Sequence, residues 1–295
     1  MKILLTGATG FIGRQLVASL QGHQLSIVSR DTASARELLG DEHDYLRNLD
    51  KLDNLNGFDA VINLAGEPIV GKRWSEAQKK LLCHSRWDIT ELLAALISQS
   101  DNPPSVFISG SAVGFYGAQG VERLSESSTP HPEFTHMLCA NWEQLALDAA
   151  SEQTRVCVLR TGIVLGKHGG ALAKMLPAFK ACLGGPIGKG TQGMSWIHIE
   201  DMVGLIRFLL ANDSCRGIFN ATAPNPVSNA VFAHTLGEVL HRPALVPAPA
   251  FAMKLLLGEA ATLLLDGQFV LPTHAKEAGF GFRYPQLRQA LENLL

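Results

Sequence analysis

Three glycines near the start of the chain stand at a spacing that suits the binding of a phosphate group. The segment Gly7–Gly13 (GATGFIG) lies between an apolar run, Lys2–Thr6, and a stretch with apolar residues at helical spacing. In such a turn the first glycine permits a tight bend, the second lets the backbone approach a pyrophosphate, and the third lets the helix pack on the strand. Free N–H groups at the helix N-terminus then face the negative charge. In this strand–turn–helix context the glycines predict a dinucleotide-binding site.

The residues that follow the second predicted strand, Leu25–Ser29, indicate which dinucleotide is bound. Sites that prefer NAD usually place Asp or Glu there to bind the ribose 2′-hydroxyl. Here Ser29 and Arg30 occupy the position, and Asp31 follows one or two positions late. A guanidinium can hold a 2′-phosphate, although Arg30 could also be an ordinary solvated surface residue. The pattern favours NADP(H) as the cofactor.

Apolar runs that predict strands alternate with stretches of helical periodicity over most of the chain. Strands are predicted at Lys2–Thr6, Leu25–Ser29, Ala60–Leu64, Ser105–Ile108, Val156–Leu159 and Gly217–Ala221. Helices are predicted at Phe11–Leu20, Glu76–Ser98 and Ala140–Ala150. This alternation predicts βαβ units and a Rossmann-type α/β fold with a doubly wound parallel sheet.

The second half of the chain suggests a division into two domains. Residues 1–222 form the predicted dinucleotide-binding domain, in which the glycine-rich stretch 162–193 is expected to be a loop-rich cover over the strand ends. Residues 223–295 form a smaller carboxyl-terminal substrate lobe, expected to be mostly helical beyond the prolines at 243, 247 and 249.

Composition narrows the classes of protein to which the chain can belong. With 295 residues, 18% of them charged and a net charge of −2, nothing in the charge balance attracts nucleic acid. The five cysteines are widely spaced and form no metal-ligand pattern with the histidines, so reduced thiols in a reducing compartment are expected. No apolar run reaches the ~18 residues of a membrane helix, and no signal peptide is recognised. These features predict a cytoplasmic protein with a small-molecule substrate, no metal and no membrane or nucleic-acid partner; its oligomeric state stays open.

Several longer motifs resemble the extended short-chain dehydrogenase/reductase superfamily. They are TGATGFIG at 6–13, INLAG at 62–66, ISGSAVGFYG at 108–117, LRTGIVLG at 159–166 and WIHIEDM at 196–202. The segments GEPIVGKRW at 66–74, LGGPIGKGTQGMSWIHIED at 183–201 and NATAPNPVSN at 220–229 are similar to an atypical subgroup, the NAD(P)-dependent nucleoside-sugar epimerases with their own carboxyl-terminal domain. The resemblance covers essentially the whole chain, including a family-specific tail from about residue 247.

This resemblance implies further cofactor contacts. Leu64 and Ala65 would lie along the cofactor, and Val164 would touch its nicotinamide side. Arg86 stands where ordinary members carry an Asn and could place a guanidinium near the phosphates; the alternative is a surface charge on a helix. The predicted cofactor-binding residues are Gly7, Thr9, Gly10, Phe11, Ile12, Gly13, Ser29, Arg30, Leu64, Ala65, Gly66, Arg86 and Val164.

The chain departs from the resemblance at the residues that usually catalyse. Ordinary members use a Tyr-x-x-x-Lys pair, in which the lysine helps to lower a tyrosine pKa from about 10 so that the tyrosine can exchange protons. None of Tyr45, Tyr116 and Tyr284 is followed by a lysine four residues later. Thr135 and Cys139 stand at the two positions of the pair, and neither can perform this chemistry in the ordinary way.

Two other polar residues are the candidates for catalysis. Ser111 matches the family serine that hydrogen-bonds a substrate carbonyl, and Tyr116 resembles the tyrosine of the V-Y-G turn, for which a structural role is equally open. We therefore carry two hypotheses. The first is an NADP(H)-dependent epimerase or oxidoreductase acting on a small sugar-like or nucleotide-sugar-like molecule. The second is a non-catalytic NADP(H)-binding regulator that acts through a protein partner.

Overall fold

The computed structural model describes residues 1–295, which form thirteen strands and eleven α-helices. The strands are β1 (Lys2–Thr6), β2 (Gln24–Val28), β3 (Asp44–Leu46), β4 (Ala60–Asn63), β5 (Val106–Ala112), β6 (Arg123–Leu124), β7 (Arg155–Thr161), β8 (Ile163–Gly166), β9 (Gly193–Met194), β10 (Trp196–His198), β11 (Gly217–Ala221), β12 (Val227–Ser228) and β13 (Phe269–Val270). The helices are α1 (Phe11–Ser19), α2 (Thr32–Leu39), α3 (Glu76–Ser98), α4 (Phe134–Leu147), α5 (Gly170–Lys180), α6 (Ile199–Ala211), α7 (Asn229–Val239), α8 (Ala250–Leu257), α9 (Thr262–Leu265), α10 (Thr273–Glu277) and α11 (Leu287–Leu294). Short 3₁₀ helices cover Val113–Tyr116 and Gly258–Ala261.

Seven strands form the central sheet in the order β3-β2-β1-β4-β5-β7-β11, and every neighbouring pair is parallel. The winding direction reverses between β1 and β4, because β2 and β3 extend the sheet on one side while β4, β5, β7 and β11 extend it on the other. In open α/β sheets the ligand lies outside the carboxyl ends of the strands at this switch point. The doubly wound Rossmann-type fold predicted from the sequence is confirmed.

Both faces of the sheet are buried, which is why its strands read as nearly continuous apolar runs. Along β1, Ile3 and Leu5 belong to a cluster of 40 buried apolar residues, whereas Leu4 belongs to one of 13 on the other face. The larger cluster also contains Leu287 and Leu291 of α11. The last helix therefore packs into the same core as the sheet.

The glycine-rich stretch 162–193 differs from the expected loop-rich cover, since it contains β8 and the eleven-residue helix α5. Two glycines of this stretch lie against the aromatic ring of Phe11. A Cβ added to Gly166 or Gly169 would lie 2.5 or 2.4 Å from the ring of Phe11. These glycines therefore make room for an aromatic ring from the start of α1, and they join this segment to the phosphate turn.

The chain beyond residue 223 is mainly helical, as expected, with α7 to α11 separated by short connections. It also contributes two short strands: β12 pairs with β9, and β13 pairs with β6. None of the helices, including the apolar α8, combines the length and apolar character needed to cross a membrane.

Candidate functional site

The turn between β1 and α1 has the geometry of an anion site. Gly7 has a φ of +71°, and a Cβ there would lie 2.5 Å from the carbonyl carbon of Leu64. A Cβ at Gly13 would lie 2.2 Å from the Gly7 oxygen, so Gly13 allows α1 to pack against the turn. Beside Gly10 the space is open apart from that oxygen at 3.2 Å. Helix α1 begins at Phe11 without a side-chain cap, which leaves backbone N–H groups free for a ligand.

The residues after β2 leave a guanidinium free at the edge of the sheet. The carboxylate of Asp31 caps α2 and accepts hydrogen bonds from the backbone N (3.0 Å) and the hydroxyl (2.7 Å) of Ser34. The Ser29 hydroxyl donates to the Asp31 carbonyl at 2.9 Å. Because Asp31 is committed to the cap, exposed Arg30 is the charged side chain at this position that can meet a 2′-phosphate.

Arg86 is a buried cation without a carboxylate partner. Its side chain is only 8% exposed, so it is not the solvated helix charge of the alternative prediction. Its guanidinium donates to the carbonyls of Leu82 (3.0 Å) and Glu67 (2.8 Å) and to a neighbouring serine hydroxyl, all neutral oxygens. It lies against Gly66, where a Cβ would come within 3.1 Å of Arg86 Cζ, and 5.2 Å from the Trp142 ring. Buried charges are normally paired; here the guanidinium joins α3 to the segment after β4 through neutral oxygens.

The position of the usual Tyr-x-x-x-Lys pair contains no titrating acid or cation. Burial raises the pKa of Cys139 to about 12, with the charge of Glu143 adding to the effect, so this side chain is a neutral thiol. The Thr135 hydroxyl donates to the Glu133 carboxylate at 3.1 Å. Arg86 is close enough to Cys139 that each group shifts the pKa of the other. A fixed positive charge is thus present beside the lysine position, but it comes from α3 instead of α4.

Ser111, the first catalytic candidate, lies near the carboxyl end of β5 beside a buried ion pair. Its hydroxyl donates to Glu143 Oε1 at 2.6 Å. Arg160, near the end of β7, donates to both carboxylate oxygens of Glu143, at 2.9 Å from Nε and 2.8 Å from Nη2. A bidentate pair of this kind fixes the relative orientation of the guanidinium and the carboxylate. The ion pair therefore holds the Ser111 hydroxyl in one orientation at the carboxyl edge of the sheet.

Tyr116, the second candidate, is completely buried. Its hydroxyl donates to Asn220 Oδ1 at 2.7 Å and accepts from Arg160 Nη1 at 3.0 Å. Burial raises the pKa of Tyr116, and Arg160 opposes that shift. This arrangement gives Tyr116 a structural position behind Arg160. Direct contact with a substrate would require the network to open, so a catalytic role for Tyr116 stays a prediction.

Sequence reasoning missed the buried residues that organise this network. Glu126 Oε1 accepts hydrogen bonds from the backbone N–H groups of Asn220 (3.0 Å) and His274 (3.2 Å), while its second oxygen has no partner. Arg160 and Glu143 are separated by 17 positions and lie on different elements. The available signal was a charged residue inside an otherwise apolar strand, since buried charges are rare unless paired.

The remaining predicted cofactor residues lie around the same edge. Thr9 is exposed and Ile12 half-buried on the turn beside Gly10. Val164 lies in β8, which Gly170 connects to the turn: a Cβ on Gly170 would be 2.6 Å from the Val164 carbonyl oxygen and 3.0 Å from the Phe11 ring. The structure thus gathers the phosphate turn, the β4 turn, Arg86 and β8 at the switch point of the sheet.

Two family models match the chain. The model of the NAD dependent epimerase/dehydratase family matches residues 3–221, and that of a domain of unknown function, DUF1731, matches residues 248–294. An epimerase family protein SDR39U1 homolog, chloroplastic, of Arabidopsis thaliana is 41% identical to this chain over all of it and 87% of the relative.

Several solved structures are similar over the whole chain, among them two that are more than 30% identical to it. The crystal structure of human epimerase family protein SDR39U1 (isoform 2) with NADPH has a TM-score of 0.92 and 35% identity, covering 100% of this chain and 99% of the human one. A nucleoside-diphosphate sugar epimerase of Corynebacterium glutamicum has a TM-score of 0.77 and 31% identity, covering 100% of this chain and 58% of that protein. This chain belongs to the NAD dependent epimerase/dehydratase family and carries the DUF1731 segment at its carboxyl end.

Proposed function

We propose that this protein is an NADP(H)-dependent epimerase or reductase that acts on a small sugar-like molecule. The observation that carries the proposal is a set of hydrogen-bond donors at the switch point that could bind an anion. They are the backbone of the open turn beside Gly10 and the buried guanidinium of Arg86, which contacts no carboxylate. A buried guanidinium that contacts no carboxylate would be stabilised by an anionic ligand. The NADPH complex of the similar human protein supports the same cofactor here.

Each part of the cleft has a proposed role in holding the cofactor. The turn from Gly7 to Gly13 binds the pyrophosphate, while Ser29 and Arg30 bind the adenosine 2′-phosphate. Arg86, against Gly66, binds the phosphate on the nicotinamide half, and Val164 lies beside the nicotinamide. When bound, NADP(H) supplies or accepts a hydride. The protein residues fix its orientation and bring the substrate carbon to the β5 end of the sheet.

Ser111 is the proposed catalytic residue. A hydroxyl whose hydrogen is held by Glu143 still has a lone pair that can accept a hydrogen bond from a substrate hydroxyl. Arg160 and Tyr116 keep Glu143 in place from behind, and in this proposal they are positioning residues. A cytoplasmic location also remains part of the proposal.

Cofactor choice is the experiment that tests the proposal. Arg30 has no counterpart in a site built for a free 2′-hydroxyl, so NADPH should bind at least tenfold more tightly than NADH, or ~1.4 kcal/mol. Calorimetric titration of the protein with each cofactor measures this difference. Equal affinities, or tighter binding of NADH, would contradict the assignment.

A second function, a non-catalytic regulator that reports the NADP(H) pool to a protein partner, has its own supporting observation. Thr135 and Cys139 replace the Tyr-x-x-x-Lys pair, and the hydroxyl of Tyr116 is fully engaged inside the protein. A screen of NADPH oxidation across carbonyl compounds separates the two functions. Turnover with any of them supports the enzyme, whereas cofactor binding without turnover in a broad screen supports the regulator.

A further inference from the structure

Large apolar side chains project from the protein at helix α8. Phe251 and Leu255 lie one turn apart on the same face of the helix, and each is 73% exposed. Leu256 beside them is 64% exposed, and none of the eight residues of α8 is buried. The only polar side chain of the helix is that of Lys254. A helix that is apolar on nearly all sides is normally covered on most of them, so α8 lacks a cover in this chain.

Two neighbouring segments extend this apolar surface. The Val246 N–H donates to the Gly184 carbonyl at 3.1 Å, so residues 183–188 run beside residues 245–249. The second of these segments leads directly into α8. Monomeric proteins rarely expose large contiguous apolar patches, which usually mark an interaction site. Together the exposed apolar side chains form the α8 surface, which consists of Leu183, Leu245, Val246, Phe251, Leu255 and Leu256.

The parts of the chain that carry the α8 surface contain no acidic residue. All 27 aspartates and glutamates lie outside residues 153–199 and 239–258. The acidic residues that border the second stretch, Glu238 and Glu259, are already paired with other cations. Positive charge is therefore not neutralised around the apolar side chains. The exposed cations that accompany them in these stretches are Lys180, Lys189, Arg242 and Lys254.

This combination of apolar and positively charged side chains suits an anionic lipid surface. Phe and Leu side chains enter the boundary between headgroups and acyl chains, and nearby Lys and Arg side chains attract the anionic headgroups. Lys254 can extend its amine to a phosphate while its methylene groups stay with the apolar side chains. Side chains as exposed as Phe251 and Leu255 project from the body, so they can enter a soft layer. A protein partner would need a matching recess with an acidic rim.

A second copy of the chain fits this surface less well. In a two-fold symmetric dimer the same patch of each subunit contacts itself. The cations around one α8 would then lie close to those around the other, and like charges across an interface oppose association. Lysine is also depleted in the cores of protein interfaces, whereas Lys254 lies within α8.

We infer that the α8 surface attaches this protein peripherally to membranes that contain anionic lipids. With eight residues α8 is too short to cross a bilayer, so the contact lies at the level of the headgroups. The expectation of no membrane partner rested on the absence of a long apolar run, whereas this surface arises only when two separate segments meet in the fold. The inference does not depend on the proposed catalytic function.

Co-sedimentation of the full-length protein with lipid vesicles tests the inference. Vesicles of phosphatidylcholine are compared with vesicles in which about a third of the lipid is phosphatidylglycerol, at about 0.1 M salt, where charges act over ~10 Å. We expect saturable binding to the anionic vesicles only, and weaker binding at higher salt. The double variant Phe251→Gln/Leu255→Gln should bind at least about tenfold more weakly because it lacks the inserting side chains. Lys180→Gln/Lys254→Gln should lose about tenfold or more because it lacks two positive charges.

The matched control is Leu38→Gln, which removes an exposed apolar side chain of α2 outside the α8 surface and should bind like the wild type. Equal binding to the two kinds of vesicle, or no binding to either, overturns the inference. Wild-type binding by Phe251→Gln/Leu255→Gln overturns the location of the contact. Sedimentation velocity examines the other occupant: a concentration-dependent dimer that this double variant abolishes would show that a second copy covers α8, and would overturn the membrane assignment.

Discussion

Two buried arginines illustrate how differently the same residue type is used in this cleft. Arg160 is neutralised by Glu143 through two hydrogen bonds and supports the scaffold. Arg86 is equally buried, yet its partners are carbonyl and hydroxyl oxygens. Burial lowers the pKa of Arg86, but a guanidinium stays charged throughout the physiological range. The unpaired charge is therefore the stronger indication of a ligand.

Removing the charge of Arg86 should weaken the whole dinucleotide but not its adenosine end. Hydrogen bonds to charged groups are worth about 1.5–3 kcal/mol, so Arg86→Gln should weaken NADPH and NADH alike by roughly tenfold or more. Adenosine 2′-monophosphate, which lacks the pyrophosphate, should bind as before. Arg30→Gln is the matched control, with weaker NADPH and adenosine 2′-monophosphate binding and unchanged NADH binding. Calorimetry with the three ligands would disprove the assignment if Arg86→Gln lost all three equally.

Removal of the Tyr116 hydroxyl should lower stability, whereas removal of the Ser111 hydroxyl should lower turnover. Tyr116→Phe leaves Asn220 Oδ1 and an Arg160 N–H without their buried partner, so the free energy of unfolding should fall by about 1–3 kcal/mol. Ser111→Ala should instead slow any turnover by roughly 10²–10⁴ with cofactor affinity nearly unchanged, and Cys139→Ser should matter little. Denaturant unfolding and steady-state kinetics measure both effects. A Tyr116→Phe variant of wild-type stability but low turnover would restore Tyr116 as a catalytic residue.

At the scale of elements, the sequence pattern predicted those strands and helices whose bounds depend on neighbouring residues in the chain. The predicted bounds of β1, α3 and β11 agree with the structure, because the apolar residues of each element recur at the period of its strand or helix. The edge strand β3, only three residues long and without an apolar run, was missed. Helix α5 was missed because its starting glycines are required by the Phe11 ring, a contact between distant segments that no local pattern records.

The candidate site also contains some features that depend on local sequence and others that depend on contacts between distant segments. The glycine turn and the residues after β2 lie within one βαβ unit, so their spacing alone predicts that they meet at the edge of the sheet, and their contacts with the cofactor stay predictions. The ion pair of Glu143 with Arg160 joins a helix to a strand, and the contact of Arg86 with the β4 turn depends on how α3 packs. Such pairs become visible only when the fold brings them together.

The phosphate turn provides a matched pair of glycine substitutions. A side chain at Gly10 meets only the Gly7 oxygen, at 3.2 Å, so Gly10→Val should fold with a small local adjustment while filling the pyrophosphate position and abolishing NADPH binding. A side chain at Gly13 would collide with the Gly7 oxygen at 2.2 Å, so Gly13→Val should destabilise the protein itself. Thermal unfolding with and without NADPH distinguishes them. Cofactor-induced stabilisation of wild-type size in Gly10→Val would rule out the proposed pyrophosphate position.

At the scale of the whole molecule, the carboxyl-terminal segment is held to the first domain by polar contacts as well as by the core. The carboxylate of Asp201 in α6 accepts hydrogen bonds from the backbone N–H groups of Arg283 (2.7 Å) and Tyr284 (2.9 Å). His198, fully buried at the start of α6, bonds to Asn293 in α11 at 3.1 Å. The ring of Tyr284 lies 3.9 Å from that of His198. One hydrogen bond of this attachment, that between His198 and Asn293, therefore depends on the protonation state of the histidine.

The geometry requires that histidine to be neutral. His198 Nδ1 accepts from the Glu200 N–H at 3.1 Å and caps α6, so the ring hydrogen must be on Nε2, toward Asn293 Oδ1. If Nδ1 were protonated, its N–H would face the N–H of Glu200, and the hydrogen bond between them would be lost. Burial lowers the pKa of His198, although the nearby carboxylates of Glu200 and Asp201 oppose the shift. Burial also raises the pKa of Asp201, which favours its protonated form and acts with the opposite sign at lower pH.

The lowered pKa of His198 predicts that the protein loses stability in mild acid. Because the folded-state pKa of His198 lies below its unfolded value of about 6.5, the unfolded chain binds the extra proton, and stability falls as pH drops from about 7.5 toward 5. His198→Asn keeps a good N-cap without a titrating group, so its stability should fall less over the same range. Denaturant unfolding at several pH values gives the difference between the two proteins. Parallel curves would show that His198 is not the titrating contact.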